Sequence, residues 1–458
     1  MRPRVAVLSV YFTLFDAQMP PDFRARQEAW IRQLTELLAG VFDVAAFTGL
    51  ITSEDEAAAA RTLLRGADAD VVVFVPPMAA PPSYAAIALE GSDLPVVLWN
   101  APATDRLGSD LDQASAHEHT SMLGVLMYAN VRERRAQPLQ IVTARPDDRE
   151  AMDRLIRTIR ALAAARRLRG GTVVRVGVPY PGYLNIEADA EQLSRLGLEE
   201  RQVGLQELQE LYDAADAPEL EAFRAEVRAY GWHGEIDDRS ARVAVAMGRL
   251  AEQHRAVCGA VNCHGPLLRQ NHDIGVSACL GVSACTAAGI PFACMADTPT
   301  AITLALGRAL AGRVLYCEFY SAELATGSLL IANGGEGDTG WGDGEVRLVP
   351  SAHYPGVNGA GTALAFDLPP GPVTVLSLSP IGSSWRLVWG CGELLESRYP
   401  RMQAPNAMFR FSSSAPAEAL DAWLGSGATH HNALIPGHLD LELPLVANAL
   451  AIEARRVG

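Results

Sequence analysis

Short apolar runs alternate with helical segments through the first third of the chain, and this alternation restricts the possible folds more than any other feature. Apolar runs of strand length occur at 4–10, 41–47, 70–75 and 94–99. Between them, 24–39 and 54–64 carry apolar residues at helical spacing, and Gly40 ends the first of these helices. The run at 70–75 is mostly Val, as in strands that are covered on both faces. This order predicts an α/β domain with a parallel sheet at 1–170.

The same pattern starts again after an Ala- and Arg-rich helix at 150–168. Gly170 and Gly171 end that helix, and a strand is predicted directly afterwards at 172–178. Further helices are predicted at 190–195, 205–214, 217–230, 239–253 and 298–310, and further strands at 257–262 and 313–319. We therefore predict a second α/β domain, also with a parallel sheet, at 171–340.

The composition changes after about Gly340, where Gly, Pro and Ser become frequent. Short runs of β character at 362–366, 373–379, 385–389 and 407–411 are separated by turn residues. Two helices are predicted near the end, at 416–424 and 441–450. The spacing of the short runs predicts an antiparallel β domain at 341–458.

Charge and composition exclude several classes of protein. The 458 residues include 38 Lys and Arg against 53 Asp and Glu, a net charge of −15, whereas binding to a nucleic-acid backbone needs clustered positive charge. Hydrophobic residues make up 49% of the chain, which is typical of a globular protein and excludes a mainly disordered one. No apolar run reaches the length of a transmembrane helix, so we expect no membrane partner.

The amino terminus and the cysteines indicate the compartment. The apolar run near the amino terminus is short and lacks an A-x-A-like cleavage site, so it is interpreted as the first buried strand and not as a signal peptide. Seven Cys is an odd number in a large chain, which argues against a disulfide framework. We therefore expect a reduced, cytoplasmic protein.

Residues 335–340, GEGDTG, match the dinucleotide pattern G-x-G-x-x-G. No helical pattern follows them, and Glu336 and Asp338 occupy the place where a pyrophosphate would bind. A turn is the better interpretation.

Four of the seven Cys lie close together in the second α/β segment. Cys263, next to His264, is followed by Cys279, Cys285 and Cys294. Zinc sites usually contain closely spaced C-x-x-C pairs, and this segment has none. Small residues surround these thiols, so the pattern favours buried core cysteines.

Four other residues carry candidate chemistry. His430 and His431 stand together in a Gly- and Thr-rich segment, where a neutral imidazole can bind a metal or polarise a carbonyl. Glu318 follows an apolar strand, and open α/β sheets bind ligands at such strand ends. Asp297 begins a helix, which makes capping as good an interpretation as catalysis.

Five segments, in this order, resemble the L-fucose isomerase / L-arabinose isomerase family. They are VLSVYFTLFDAQMPPDFRARQ, LDQASAHEHTSMLGVLMYANVR, GIPFACMADTPTAITLAL, VLYCEFY and AWLGSGATHHNALI. The double-His segment is the most specific of them. The resemblance implies two Rossmann-like parallel-sheet domains followed by a C-terminal antiparallel β-barrel-like domain. It also implies a homo-oligomer, a trimer or hexamer, whose active sites lie at subunit contacts.

The resemblance further implies an aldose–ketose isomerase that uses a divalent metal, usually Mn²⁺, to stabilise an enediol. By position, Glu318 and His431 match metal ligands of the family, with His430 beside the second. His119 matches a histidine that enters the neighbouring subunit's pocket. Three residues are assigned to binding of the sugar substrate: His119, Gln18 in the loop of the first matching segment, and Trp341.

Two positions depart from the family. Met295 stands where the family has an acid that both binds metal and moves protons, and a thioether does neither for a hard cation. Asn333 stands nearest to a His that arabinose isomerases use as a ligand. Asp297 is therefore assigned as the replacement ligand and acid, with Glu336 and Asp338 as further groups that would approach the site.

Three functional hypotheses follow. The first is a divergent metal-dependent sugar isomerase, with Glu318, Asp297 and His430 as catalytic residues and Glu318, His431 and Asp297 as metal ligands. The second is a different, metal-independent reaction of the same fold on a sugar-derived metabolite, prompted by Met295. The third is a sugar-binding protein without catalysis. Fold alone does not decide between them.

Overall fold

The computed structural model describes residues 2–112, 116–117, 119–351, 360–396, 399 and 401–458. The chain divides into two compact units, Met1–Arg167 and Leu168–Gly458. Over the described ranges, none of the helices combines the length and the apolar character needed to cross a membrane.

The first unit is a five-stranded parallel sheet with helices packed against it. Its strands are β1 (Arg4–Val10), β2 (Asp43–Ile51), β3 (Val71–Phe74), β4 (Val96–Asn100) and β5 (Gln140–Thr143). Its helices are α1 (Phe23–Ala39), α2 (Glu54–Gly66), α3 (Pro82–Ala88), α4 (Ser121–Arg134) and α5 (Arg149–Leu168). The strand order is β2-β1-β3-β4-β5. Because this order reverses between β1 and β3, the carboxyl ends of these two strands border a crevice of the kind in which doubly wound sheets bind ligands.

The second unit contains fourteen of the strands in the described residues and eight of the helices. The strands are β6 (Thr172–Val176), β7 (Glu199–Val203), β8 (Trp232–His233), β9 (Ala256–Val261), β10 (Phe292–Ala293), β11 (Leu315–Glu323), β12 (Ser328–Ala332), β13 (Asp343–Pro350), β14 (Thr362–Asp367), β15 (Gly371–Ile381), β16 (Ser384–Leu395), β17 (Asn406–Phe411), β18 (His431–Pro436) and β19 (Glu453–Val457). The helices are α6 (Ala190–Arg195), α7 (Leu205–Asp213), α8 (Ala217–Ala229), α9 (Asp238–Gln253), α10 (Cys279–Ala287), α11 (Thr298–Ala311), α12 (Pro416–Leu424) and α13 (Glu442–Leu450).

Four of these strands form a second parallel sheet in the order β10-β9-β6-β7. The chain runs from β6 outward to β7 and then returns to the other side of β6 to form β9. The order therefore reverses between β6 and β9, and the carboxyl ends of these two strands border a second ligand crevice of the doubly wound type.

The remaining ten strands form one large sheet. Six of these strands close into an antiparallel barrel. The barrel order is β16-β15-β18-β11-β12-β17, and β17 pairs with β16 to complete the ring. Its interior is part of an apolar core, where residues such as Leu315, Phe409 and Leu434 are buried. Closure leaves the six strands without free edges.

The predicted fold class, two parallel-sheet α/β parts followed by an antiparallel barrel, is confirmed. The strand predicted at 313–319 lies in the barrel as β11, and not in a parallel sheet, because it pairs antiparallel with β12 and β18. The antiparallel sheet thus begins at Leu315, before residue 341. The turn predicted at 335–340 is also observed, since the segment leads into a single 3-10 turn at Thr339–Trp341 and not into a long helix.

Candidate functional site

A cavity of about 150 Å³ in the second unit contains most of the reactive side chains that the sequence singled out. It lies where the barrel meets the loops of the second parallel sheet. Its walls are formed by Tyr183, Cys263, His264, Arg269, Cys279, Cys294, Met295, Tyr316, Glu318, Gly334, Glu336, His430 and His431.

Glu318 and His431 face each other across two neighbouring barrel strands. They are direct register partners in the antiparallel pairing of β11 with β18. His431 Nε2 lies 3.9 Å from Glu318 Oε1, and the hydroxyl of Tyr316 lies 3.5 Å from the same carboxylate oxygen. Burial raises the pKa of Glu318, and the nearby His431 opposes that effect. The barrel therefore holds a carboxylate and an imidazole at fixed positions on one wall of the cavity.

Asp297 lies behind His431 and does not line the cavity. Its side chain is fully buried and caps α11 by accepting a hydrogen bond from the backbone N–H of Thr300 at 2.8 Å. Its other oxygen lies 2.7 Å from His431 Nδ1. Because an ionised carboxylate only accepts hydrogen bonds, Nδ1 carries the proton and Nε2 offers its lone pair to the cavity. The structure gives Asp297 the role of orienting the imidazole, which differs from the metal contact assigned from the sequence.

Met295 enters the cavity wall from an unusual turn. Met295 and Ala296 both have positive φ angles, 58° and 56°, in consecutive positions. Residues with a Cβ seldom adopt this left-handed conformation, and two in succession indicate a turn fixed by its surroundings. The turn places Asp297 at the amino terminus of α11, so that at this position the wall carries the thioether of Met295 and not a carboxylate.

Glu336 supplies the second carboxyl group of the cavity. The residue is 1% exposed, and among the described residues neither carboxyl oxygen has a hydrogen-bond partner. Burial, with the nearby Cys263 and Glu318, raises the pKa of Glu336 to about 8. A buried carboxyl without partners is costly unless it serves a ligand or a proton transfer.

Asn333 fixes the loop that carries Glu336. Its side-chain amide donates hydrogen bonds to the carbonyl oxygens of Tyr316 at 2.9 Å and Glu336 at 2.8 Å. Its side-chain oxygen accepts a hydrogen bond from the N–H of Gly335 at 2.9 Å. Asn333 is therefore engaged with the backbone, and it does not belong to the cavity wall.

The opposite wall carries sulfur and basic groups. Cys263 and His264 follow β9, and Cys294 follows β10. The neighbouring Cys294 thiol, together with Arg269 and His264, lowers the pKa of Cys263 well below its usual value, while burial opposes this. The expected burial is confirmed for Cys263, Cys279 and Cys285, whereas Cys294 is only partly buried. Cys263, Cys279 and Cys294 also line the cavity, which the sequence does not indicate.

His430 stands at the mouth of the cavity. Asn185 lies 2.8 Å from its Nδ1, and its ring centroid is 5.8 Å from that of Tyr183. Partial burial and the adjacent His431 lower the pKa of His430 to about 4, so its imidazole is neutral at neutral pH. The two neighbouring histidines thus differ, since His431 begins β18 and is 2% exposed.

Two further predicted residues do not belong to this wall. Asp338 is buried and pairs with Arg308 at 2.8 Å. Trp341 is 9% exposed and packs in the apolar core of the second unit. Both stabilise the segment after Glu336.

Gln18 and His119 belong to the first unit, where both side chains are exposed. Gln18 lies in the loop after β1, at the carboxyl edge where the strand order reverses. His119 lies just before α4, and the ring of the nearby His117 is 5.4 Å from that of Phe15 in the β1 loop. Residues 113–115 and 118 of the motif around His119 lie outside the described residues.

Residues 314–453, from the start of β11 into β19, match the family model of the L-arabinose isomerase C-terminal domain. This similarity agrees with the motifs, which predicted a divergent relative of the fucose and arabinose isomerases, and it supports an isomerase-like enzyme. Its relatives include the proteins named sulfoquinovose isomerase from Priestia aryabhattai and Priestia megaterium. Each is 22% identical over 450 residues, which cover 96% of both chains.

Two parts of the site have only weak signals in the sequence. Glu336 lies in a segment that was assigned to a turn, and only its placement as a further approaching acid indicated its role. The wall formed by Cys263, His264 and Cys294 is not recognised from the sequence, because these residues lack the C-x-x-C spacing of common zinc sites. A usable signal is position, because Cys263 and His264 follow the strand β9 and Cys294 follows the strand β10. Residues that follow neighbouring parallel strands meet at one edge of the sheet.

Proposed function

We propose that this protein is a metal-dependent sugar isomerase that interconverts an aldose and a ketose through an enediol, with the cavity of the second unit as its active site. The observation that carries the proposal is the pair formed by Glu318 Oε1 and His431 Nε2. Both atoms are acceptors, they lie 3.9 Å apart, and the proton of His431 is held on the other side of its ring by Asp297.

The residues fit a divalent cation. Two bonds of about 2.1 Å to a shared ion accommodate an oxygen and a nitrogen at such a separation. Carboxylate oxygen together with imidazole nitrogen suits Mn²⁺ and similar ions. Such an ion, held by Glu318 and His431, would supply positive charge to the oxygens on C1 and C2 of the sugar.

The chain's own groups account for the proton movements. Isomerisation transfers one proton between C2 and C1 and another between O1 and O2, so the reaction needs one group for carbon and one for oxygen. Glu318, as a carboxylate, takes the proton from C2 and returns it to C1. Glu336, which holds a proton at neutral pH, donates it to O1 and recovers one from O2. Two carboxyl groups with different environments can divide these tasks.

Arg269 supports an anionic sugar as the substrate class. It lines the cavity, and within the described ranges its Nε and Nη1 are buried without a hydrogen-bond partner. A guanidinium binds planar or tetrahedral oxyanions through several N–H groups. Together with the names of the relatives, this makes a sulfonated sugar such as sulfoquinovose the first substrate to test.

The assembly and the compartment belong to the same proposal. We propose a homo-oligomer, a trimer or a hexamer, in which the exposed His119 and Gln18 contribute to a neighbouring subunit's sugar pocket. We also propose a cytoplasmic enzyme, since all seven cysteines are free thiols.

A second candidate function is a different reaction on a sugar-derived metabolite in the same cavity, without Mn²⁺. The observation that favours it is the cavity wall itself, where Met295 replaces the expected acid and three thiols are present. The two candidates differ in their dependence on a hard divalent ion.

The deciding experiment measures isomerisation by the full-length protein with sulfoquinovose, pentoses and 6-deoxyhexoses. Each sugar is assayed after treatment with chelator and again after addition of Mn²⁺. The proposal expects turnover of one sugar that disappears with chelator and returns with Mn²⁺. Turnover that chelator leaves unchanged would favour the second candidate. Sugar binding without any turnover would support the third hypothesis, a sugar-binding protein.

A further inference from the structure

A second group of potential metal ligands lies in the same cavity, apart from Glu318 and His431. The ligand atoms of Cys263, His264 and Cys294 all lie within 4.8 Å of one another. In a tetrahedral zinc site, bonds of about 2.3 Å to sulfur and 2.1 Å to nitrogen place the ligand atoms roughly 3.5–3.8 Å apart. Small side-chain rotations therefore bring the three atoms to bonding distance of one ion.

The position of the three residues follows from the sheet topology. β9 and β10 are neighbouring parallel strands, with Phe292 paired to Gly259 and Ala293 to Ala260. Cys294 directly follows β10, and Cys263 and His264 stand just beyond the end of β9. Their side chains thus meet at the carboxyl edge, next to the point where the strand order reverses between β6 and β9. Open α/β sheets bind ligands at this place.

The loop after β9 is fixed by hydrogen bonds to and from its own residues. The side-chain oxygen of Asn262 accepts from the N–H of His264 at 3.0 Å, and its amide donates to the carbonyl oxygen of Val178 at 2.8 Å. The N–H of Arg269 donates to the carbonyl oxygen of Cys263 at 3.0 Å. Asn262 thereby ties the end of β9 to the end of β6.

We propose that Cys263, His264 and Cys294 form a binding site for a borderline-soft divalent ion, Zn²⁺, distinct from the site at Glu318 and His431. Two thiolates and an imidazole are the ligand set that zinc prefers, whereas hard Mn²⁺ prefers oxygen. The two thiolates cancel the charge of the ion, so the filled site does not repel Arg269 on the same wall. Three protein ligands leave the fourth zinc position open to the cavity.

An independent observation supports a ligand in this part of the cavity. The carboxyl group of Glu336 is 1% exposed, and both of its oxygens lack a partner within the described part of the chain. Glu336 lines the same cavity as Cys263, and burial together with the nearby Cys263 raises the pKa of its carboxyl group. A water or a sugar hydroxyl on the open zinc position would give this buried carboxyl a hydrogen-bond partner.

The test uses Co²⁺ as a spectroscopic substitute for Zn²⁺ in the full-length protein, purified without chelator and without a His-rich tag. Cobalt bound to thiolate shows a sulfur-to-metal charge-transfer band in the near ultraviolet, whereas cobalt bound to carboxylate and imidazole does not. We expect this band in the wild-type protein, and we expect Zn²⁺ to remove it by displacement. Cys263→Ser and Cys294→Ser should each abolish the band and weaken Zn²⁺ binding on the order of 100-fold.

Two controls separate this inference from folding defects and from the proposed reaction. Cys285→Ser changes a buried thiol of α10 that does not line the cavity, and it should keep the band. Glu318→Gln should also keep the band even if it abolishes Mn²⁺-dependent turnover. Absence of the band from folded wild-type protein, or its persistence in both Cys263→Ser and Cys294→Ser, would overturn the zinc site. Isomerase activity without the cobalt–thiolate band would support the proposed function and contradict the zinc site. The band without isomerase activity would support the zinc site and contradict the proposed function.

Discussion

Glu318 and His431 are opposite each other in the pairing of β11 with β18, and Glu318 Oε1 lies 3.9 Å from His431 Nε2. Each residue belongs to a strand of a closed barrel, and His431 is additionally held by Asp297. Two acceptors fixed on rigid strands at 3.9 Å form a site prepared for a cation, because neither can satisfy the other. The barrel strands lie within residues 314–453, which match the family model of the L-arabinose isomerase C-terminal domain. The pair of Glu318 and His431 thus links this matched region to the proposed chemistry.

Glu318→Gln tests this pair directly. Gln keeps the size of the side chain but removes the negative charge, so the divalent ion loses an anionic ligand and the sugar loses its base. We expect Mn²⁺ content to fall and kcat to drop at least about 10²-fold, while the melting temperature changes little. Metal analysis, steady-state kinetics and circular dichroism check this. Full activity in the variant would exclude Glu318 from the reaction.

Asp297→Asn tests the orienting role of the buried acid. Asn caps helices as well as Asp does, so α11 should keep its amino-terminal hydrogen bonds. The charge that holds the proton on His431 Nδ1 is lost, and Nε2 then carries that proton for part of the time. We expect roughly 10–100-fold weaker Mn²⁺ binding with a nearly unchanged melting temperature. Nitrogen NMR shifts of His431 report the tautomer directly. An unchanged tautomer with unchanged metal binding would contradict the orienting role.

Glu336→Gln and Asp338→Asn form a contrasting pair on one loop. Both acids are 1% exposed, but Glu336 has no partner in the described structure, whereas Asp338 pairs with Arg308. Glu336→Gln should lower kcat about 10²–10⁴-fold and leave the free energy of unfolding unchanged or higher, because a proton-transfer group is lost and a costly buried carboxyl is removed.

Asp338→Asn should behave in the opposite way. It leaves Arg308 without its partner and should destabilise the second unit by about 3–5 kcal/mol with little change in kcat. Chemical denaturation and kinetics on both variants distinguish these outcomes. Equal losses of stability in the two variants would show that Glu336 has a structural role.

The parts of the fold that the sequence predicts are those with strong local patterns. The Val-rich run at 70–75 and the amphipathic segment at 24–39 correspond to β3 and α1 within a few residues. The two-residue strands β8 and β10 carry no such pattern, since two residues cannot show a period. Their existence depends on neighbours far away in the chain, as in the pairing of β8 with β13.

The site shows the same division between local and long-range information. Glu318 and His431 can be assigned from motifs, because each follows or begins a strand in a recognisable segment. The buried hydrogen bond between Asp297 and His431 joins residues that are 134 positions apart, and no local pattern contains this contact. The thioether of Met295 correctly indicates that an acid is missing at its position. The carboxyl group of Glu336 comes from another loop. Its position depends on the three hydrogen bonds between the Asn333 side chain and backbone groups.

Trp341→Phe tests the sequence-based assignment of Trp341 to the sugar. The structure buries Trp341 in the apolar core, so its loss of ring area should destabilise the second unit by about 1–3 kcal/mol and leave KM unchanged. Thermal unfolding and KM measured on the same preparation check both expectations. A raised KM with unchanged stability would instead support a contact between Trp341 and the substrate.

The acid stability of the second unit depends on Asp440. Its Oδ1 accepts hydrogen bonds from Arg456 Nε at 2.8 Å and from Trp389 Nε1 at 3.0 Å. The Arg456 guanidinium and this Trp389 bond lower the pKa of Asp440 to about 2, below the ordinary value of 3.8. Because the folded state holds the ionised form, the stabilisation is present above about pH 4 and is lost as the pH falls towards 2.

Asp440→Asn should therefore lower the melting temperature at neutral pH. The difference in melting temperature between this variant and wild type should shrink as the pH falls from about 4 to about 2. The side chain is 42% exposed, so solvent screening limits the effect to a small shift. Asp421→Asn on α12 is the matched control. It is an exposed acid without an ion pair among the residues described, and its unfolding curve should follow wild type across this range. The test is the melting temperature of wild type and both variants at several pH values. A difference between Asp440→Asn and wild type that stays constant with pH would show that the charge of Asp440 does not stabilise the fold.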